Sequence, residues 1–393
     1  MNTDLLKRKV IEETEKLKES LIELALKLHS NPELGSCEYK ASRWLADTLK
    51  GEGFDVNLGV AGLETAFQAQ YKKNHSSPAI AFMAEYDALP EIGHGCGHNL
   101  IAPASLGAAI VLKNILPTEI TNITVFGTPA EETSGGKINI LAAGMFDNLD
   151  VVMMFHPHTI TTGLRPCVGR VSLVFEFFGK RAHASTFPDK GINALDAVIL
   201  TFNNINALRQ QLRDDARIHG IITDGGIVPN SIPDYTRAEF FIRSNDKNYL
   251  EELVEKVKNC AKGAATATGA ELKAFSALPT YLPDIPVGSL IRSFENNLKV
   301  LGHTVEKVQP PFRLGSSDFG NVSQVVPSLM GFIAIAPKDT PTHSSLFAEA
   351  AASQQGLSAM IDAVKAMAMT AVEILTVPDL LQKIKIEFSD GLK

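Results

Sequence analysis

The sequence is poor in cysteine and lacks both long hydrophobic runs and clusters of basic residues. Its four cysteines, at positions 37, 96, 167 and 260, show no spacing typical of disulfide pairs, which suits a reducing compartment. The N-terminus lacks the apolar core of a signal peptide, and the longest mildly apolar stretch, Ile101 to Leu112, is too short to span a bilayer. A net charge of −7 gives no support to a nucleic-acid or membrane partner. We expect a soluble, cytoplasmic protein.

Apolar residues are abundant, at 45% of the 393 positions, which is sufficient for a large core and favours two domains. They recur at helical spacing over residues 4–29, and Tyr39 to Gly51 resumes the helical pattern after a turn. Short strands follow, and then an Ala-rich helix is predicted from Asn99 to Lys113. Helices that alternate with buried strands predict an α/β fold, with a mixed sheet in a three-layer catalytic domain.

The pattern changes near Gly169. From Val171 to Phe178 the residues alternate as in a half-buried strand. The elements predicted beyond it are helices at Asn193–Leu212 and Asn248–Ala267 and strands at Ala238–Ile242 and near Leu272. This order suits a small two-layer α+β insertion. We therefore expect a catalytic domain of residues 1–168 and 280–393, interrupted by an inserted domain of residues 169–279.

The stretch from Glu85 to Asn99 is the richest in potential metal ligands. It follows the apolar run Ala79 to Met83, which is typical of a buried strand, and open α/β sheets bind ligands at the carboxyl ends of such strands. Cys96 and His98 lie between glycines that permit tight turns. A buried cysteine and a solvated loop histidine are the plain alternative, and a Cys-x-His pair is too short for half of a structural zinc finger. Carboxylates, a thiol and an imidazole in one turn favour a metal site.

Two further predicted strands also end in potential ligands. Glu131 and Glu132 follow the buried run Ile123 to Thr128 and precede two glycines, an arrangement that favours chemistry over the usual solvated pair of glutamates. The apolar strand that begins at Val151 ends in His156 and His158. Ligands at three strand ends predict a single site at one edge of the sheet.

These motifs carry a family resemblance. The sequence resembles the co-catalytic zinc metallopeptidase and amidohydrolase family, which includes aminoacylases and glutamate carboxypeptidases, and is most similar to its aminobenzoyl-glutamate hydrolase, N-acyl-amino-acid amidohydrolase and dipeptidase branch. The resemblance covers nearly the whole chain. The matching motifs, in the family's order, are Ala84–Pro90, Gly95–Asn99, Pro129–Glu132, Phe155–His156, Gly179–Ala184, Val228–Pro233, Ser317–Phe319 and Thr342–Ser344.

The resemblance implies two divalent metal ions in each protomer, with zinc as the first candidate and manganese, cobalt or nickel as alternatives. It implies that Glu131 is the general base and that Asp87 supports a ligand from behind. The implied ligands are Cys96, His98, Glu132, His156 and His343. Glu85 and Asn99 depart from the pattern, because most relatives carry Asp at both places. This departure points to the dipeptidase-like or aminobenzoyl-glutamate-hydrolase-like branch.

The resemblance also implies a role for the inserted domain, which serves dimerisation and forms a lid in the family. His183 is then expected to reach the active site of the neighbouring protomer and to help hold the substrate carbonyl. Asn230 is expected to assist as a neutral hydrogen-bond donor, and Arg243 to meet a substrate carboxylate with two parallel hydrogen bonds. A homodimer or a dimer of dimers follows.

The expected reaction is metal-dependent hydrolysis of the amide bond in a small N-acyl amino acid or dipeptide. One alternative is a metal-free thiol hydrolase, with Cys96 as nucleophile and His98 or His94 as base. Another is a binding scaffold of the same fold without chemistry. Asp318 is open to two interpretations, since it could support the site or cap a helix that begins near Phe319.

Overall fold

The computed structural model describes residues 2–72, 77–117, 120–308 and 315–392. The chain divides into two compact units, Met1–Pro166 with Asp284–Lys393, and Cys167–Pro283. Within the described ranges, no helix is both long and apolar enough to cross a membrane.

The elements alternate as expected for an α/β chain with an insertion. The helices are α1 (Thr3–His29), α2 (Tyr39–Gly51), α3 (His98–Ile115), α4 (Gly136–Ala142), α5 (Ala194–Leu208), α6 (Lys247–Thr268), α7 (Gly288–Val300), α8 (Phe319–Ser323), α9 (Ser345–Ala351), α10 (Gln354–Thr376) and α11 (Leu380–Gly391). The strands are β1 (Asp55–Leu58), β2 (Phe67–Lys72), β3 (Ile80–Ala84), β4 (Asn122–Gly127), β5 (Val151–His158), β6 (Gly169–Phe178), β7 (Arg217–Asp224), β8 (Tyr235–Ser244), β9 (Glu271–Phe275) and β10 (Ser328–Ala334).

The larger unit is built on a six-stranded mixed sheet in the order β1-β2-β4-β3-β5-β10. Strands β4, β3, β5 and β10 are parallel, whereas β2 and β1 join antiparallel at one edge. The central strands β3 and β4 are buried along their full length, as continuous apolar runs in parallel sheets usually are. Helices α1 and α10 both pack on α3, which is buried from His98 to Leu112. The predicted α/β fold is confirmed.

The smaller unit is a four-stranded antiparallel sheet, β7-β8-β6-β9, that packs against α5 and α6. Alternate residues of β6, such as Val171, Leu173 and Phe175, enter its core. The structure corrects two expectations here. The helix expected to reach Leu212 ends as an α-helix at Leu208, and β7 is a strand without a sequence signal, because seven of its eight side chains are exposed or half-buried and the strand pattern is weak.

Candidate metal centre

The carboxyl ends of three neighbouring parallel strands meet at one edge of the larger sheet. Ala84, the last residue of β3, lies beside Gly127, the last of β4, so the residues after both strands emerge together. Strand β5 is aligned with β3 through Ile80 and Val151, and this register carries His156 to the level of Glu85. The side chains that follow the three strands therefore share one site, as parallel strand ends in an open sheet dictate.

Two backbone features bring the remaining ligands to this edge. Gly97 has φ of 77°, and a Cβ there would lie 2.5 Å from Pro157, so glycine lets the Cys96 loop approach the His156 segment. The loop of His343 is joined to the same place, because its N–H donates to the carbonyl of Gly95 at 2.9 Å. His343 itself has φ of 59°, a conformation that is costly for a non-glycine residue and frequent at functional sites.

The ligand atoms of the five implied residues converge. Those of Cys96, His98 and His156 lie within 4.8 Å of one another, and so do those of Cys96, Glu132 and His343. The Cys96 Sγ is 3.6 Å from the His156 Nε2. The Glu132 Oε1 is 3.4 Å from the His343 Nε2 and 3.9 Å from the His98 Nε2. The structure thus brings together residues that lie far apart in the sequence.

These residues fit a metal ion. The His98 Nε2 and the Glu132 Oε1 are buried, and neither has a hydrogen-bond partner among the described residues. A buried polar atom without a partner is costly, so these two atoms are expected to have a ligand. Metal–ligand bonds of about 2.0–2.3 Å in a tetrahedral site separate two ligands by roughly 3.3–3.7 Å, close to the distances found here. Thiol, imidazole and carboxylate suit zinc as well as manganese, cobalt or nickel.

Asp87 holds His98 from behind. Its Oδ1 lies 3.0 Å from the His98 Nδ1, and its Oδ2 accepts the backbone N–H of Glu132 at 3.0 Å. Burial opposes the charge on Asp87, but the attraction of His98 keeps the pKa of Asp87 below its ordinary value. An ionised Asp87 accepts the proton of Nδ1 and leaves Nε2 of His98 turned toward the site, the usual arrangement behind a metal-binding histidine.

The electrostatics oppose a metal-free thiolate. Burial, followed by the charge of Glu132, raises the pKa of the Cys96 thiol. His94, a base in the thiol alternative, is buried with a pKa lowered to about 3, mainly by its burial, and its Nε2 lies 3.2 Å from the Leu28 carbonyl oxygen. A cation beside Cys96 would reverse the first of these effects.

Glu131 has an environment that favours proton exchange. Burial, then the charges of Glu85 and Glu132, raise the pKa of Glu131 well above its ordinary value. One of its oxygens lies within 4.8 Å of ligand atoms of His98 and Glu132. A carboxylate with a raised pKa beside a reacting water is suited to accept a proton and to return it.

Sequence reasoning missed Lys137, which is fully buried in the first turn of α4. Its Nζ lies 2.5 Å from the Glu85 Oε1 and 2.6 Å from the Asp318 Oδ1. Asp318 also accepts the backbone N–H of Lys137 at 3.0 Å, and in the described structure its side chain makes no capping hydrogen bond to α8. The capping interpretation of Asp318 is therefore wrong. A lysine directly after Glu-Glu and Gly-Gly was the only available signal.

In the smaller unit, His183 and Asn230 lie together. His183 is exposed and forms a bridge with Ser231, while the N–H of Ala184 donates to the carbonyl of Asn230 at 3.0 Å. The backbone N–H of Thr186 donates to the His183 Nδ1 at 3.3 Å. This bond leaves the proton of a neutral His183 ring on Nε2, as a hydrogen-bond donor.

Arg243 lies at the opposite end of the same sheet. It pairs with Arg170 of β6, whereas Tyr235, close to the His183 segment, pairs with Phe178 at the other end. The eight residues from Tyr235 to Arg243 span roughly 27 Å of strand. The Arg243 guanidinium lies 5.9 Å from the Phe241 ring, and its Nε donates to His219 at 3.4 Å. One copy of this unit therefore does not bring Arg243 to His183.

Comparisons with known proteins agree with this geometry. Residues 168–268 match the family model described as "Peptidase dimerisation domain". The chain is 37% identical to the Xaa-Arg dipeptidase of Mus musculus over 99% of this chain and 94% of that protein, and 32% identical to a p-aminobenzoyl-glutamate hydrolase chain of Escherichia coli over 67% and 59%. A Bacillus subtilis structure, described as a dinuclear metal binding peptidase from the M20 family, has the same fold. It matches with a TM-score of 0.70 and 21% identity, over 92% of this chain and 99% of that one.

Proposed function

This chain belongs to the M20 peptidase family and is therefore a hydrolase, and from that premise we propose that it cleaves the amide bond of dipeptides or N-acyl amino acids with two divalent metal ions. The observation that carries this proposal is the convergence of five ligand atoms around two buried atoms without partners among the described residues, the His98 Nε2 and the Glu132 Oε1. The residues proposed to hold the ions are Cys96, His98, Glu132, His156 and His343.

Bound metal would activate a water molecule and polarise the scissile carbonyl. In the proposed reaction Glu131 accepts the proton of that water and gives it to the leaving amine, a double role that a carboxylate engaged as a metal ligand could not perform. Asp87 keeps His98 in one tautomer and orientation throughout. The Nε2–H of His183 donates to the oxygen of the scissile carbonyl as negative charge develops there.

The distance between His183 and Arg243 supports a site built from two chains. If both residues contact one dipeptide, a single copy of the smaller unit cannot supply both, because they lie at opposite ends of its sheet. We infer that Arg243 of one protomer binds the substrate carboxylate while His183, assisted by Asn230, comes from another. The match of residues 168–268 to a dimerisation domain supports the same assignment.

The exposed edge of β7 is the proposed contact between protomers. It is an edge strand of its sheet, and its side chains Ile221 and Ile222 are 63% and 42% exposed, with Ile227 beyond it at 88%. An apolar edge strand is a template for pairing with another strand. Two such edges would join two sheets across the dimer.

We expect Ile221→Lys to shift the protein from dimer to monomer, because a charge on the edge opposes strand pairing. Sedimentation velocity would measure the shift, and activity should fall in proportion to the monomer fraction. Ile386→Lys on α11, where the isoleucine is 53% exposed, is the matched control and should leave the dimer intact. A fully dimeric Ile221→Lys protein would place the interface elsewhere.

The substrate proposal is tested with enzyme reconstituted with zinc or manganese. The similarity to Xaa-Arg dipeptidases favours dipeptides that end in Arg, and the panel should add N-acyl amino acids and aminobenzoyl-glutamate. We expect turnover that disappears when the metal is chelated and returns when it is restored. Turnover that persists in metal-free protein would favour the Cys96 thiol alternative, and no turnover of any member would contradict the proposal.

A further inference from the structure

Lys137 is a fully buried charge that the proposed reaction does not use. Its side chain is 0% exposed, and its Nζ lies between the Glu85 Oε1 at 2.5 Å and the Asp318 Oδ1 at 2.6 Å. An ammonium group taken out of water is strongly destabilising unless it is paired. Both partners are buried as well, at 1% and 0% exposure of their side chains, so the three residues form one closed ionic cluster.

The carboxylates of this cluster have the arrangement of a cation site. Glu85, Glu131 and Asp318 each offer an oxygen within 4.8 Å of the oxygens of the other two. Clustered carboxylate oxygens are typical ligands of hard divalent cations such as Mn²⁺. In this structure the Lys137 ammonium contacts two of the three, so a positive charge is already present in the cluster.

The same ammonium connects the cluster to the candidate metal centre. Glu85 is held through Oε1 by Lys137, while its Oε2 lies 3.4 Å from the His98 Nε2. Asp318 holds Lys137 twice, because it also accepts the backbone N–H of that residue at 3.0 Å. A displacement of Lys137 would therefore be transmitted to Glu85 and from there to His98.

We propose that Lys137 is a positioning residue that provides a permanent internal cation among Glu85, Glu131 and Asp318, where the chain would otherwise bind an additional metal ion. It neither ligates the metal nor contacts the substrate. Its charge fixes Glu85 beside His98 and keeps the three carboxylates from recruiting a further ion. The part of this proposal that concerns turnover rests on the proposed function, whereas the part that concerns metal binding does not.

The metal-binding part is tested by counting ions. Purified wild type and Lys137→Ala are equilibrated with MnCl₂ by dialysis, and bound manganese is measured by mass spectrometry. Lys137→Ala is expected to bind one more Mn²⁺ per chain than wild type, and Lys137→Ala with Asp318→Ala should lose that extra ion. Lys113→Ala is the matched control, since Lys113 pairs with Glu52 at 3.0 Å outside this cluster, and it should bind as many ions as wild type. A folded Lys137→Ala protein with the wild-type ion count would overturn the cation position.

The positioning part is tested with a charge-neutral pair of substitutions, which also serves if Lys137→Ala does not fold. Lys137→Met with Asp318→Asn removes one charge of each sign and is expected to keep a Tm near that of wild type, because no net buried charge is added. We expect kcat to fall about tenfold or more with KM within about threefold, since a displaced site loses alignment rather than substrate affinity. Wild-type kcat in this variant would reduce Lys137 to a structural role. If wild type itself binds metal but hydrolyses no substrate, the proposed function fails while the ion count remains decisive.

Discussion

Glu131→Gln is expected to lower kcat by a factor of about 10² or more while the metal content stays at the wild-type level. The amide keeps the shape of the side chain but cannot accept the proton of the attacking water. Glu131 lies within 4.8 Å of ligand atoms of His98 and Glu132, so it is close enough to the site for this role and is not required to bind metal. Steady-state kinetics and metal analysis on the same preparation would measure both quantities.

The neighbouring glutamate is the matched control for that result. Glu132→Gln should lose metal, because the Glu132 Oε1 lies 3.4 Å from His343 and has no hydrogen-bond partner in the described residues to compensate it. Its activity should recover partly at high metal concentration, whereas that of Glu131→Gln should not. Should Glu131→Gln lose metal while Glu132→Gln retains it, the roles assigned to the two glutamates would be exchanged.

The position of the site could be predicted from the sequence because it depends on local patterns. Buried strands such as β3 and β4 appear as continuous apolar runs, and their ends are marked by Glu85 and Glu131. Parallel strands place such ends at one edge of the sheet, so the convergence follows once the strands are recognised. His343 was different, because a loop histidine carries no such pattern and only the family resemblance singled it out.

What the sequence could not provide is the pairing of charges that meet only in three dimensions. Lys137 and Asp318 are 181 positions apart, and no periodicity links them. The local signal of Asp318, just before a short helix, predicted a cap, but the ion pair with Lys137 uses the carboxylate instead. Strand β7 was missed for a related reason, since its exposed face at the sheet edge lacks the alternation that marks a buried strand.

His183→Ala is expected to reduce kcat by about 10²–10³, the usual loss when one donor to a developing oxyanion is removed. The exposed ring is held through Nδ1 by Thr186, at 3.3 Å from its N–H and 3.1 Å from its hydroxyl oxygen, which leaves Nε2–H available. Its loss should leave metal content and Tm unchanged, because His183 belongs to the smaller unit and lies outside the candidate metal centre. Kinetics, metal analysis and thermal melting would measure these three quantities.

Mixing of protomers decides whether His183 acts on its own chain. Inactive His183→Ala and inactive Glu131→Gln chains, exchanged at equal amounts, give mixed dimers in half of the population, and each mixed dimer regains one intact site of two. About a quarter of wild-type activity should therefore return if each site takes Glu131 from one chain and His183 from the other. No recovery after verified exchange would place His183 in its own chain or outside the reaction.

The reverse experiment gives the opposite sign and guards against incomplete exchange. A chain that carries both Glu131→Gln and His183→Ala contributes neither group, so in a mixed dimer it disables both sites if the sites are shared. Excess double variant should then suppress the activity of the wild-type chains. If each chain were self-sufficient, activity per wild-type chain would stay constant at every ratio. Recovery in the first experiment and suppression in the second are both required of a site that combines His183 of one chain with the metal centre of another.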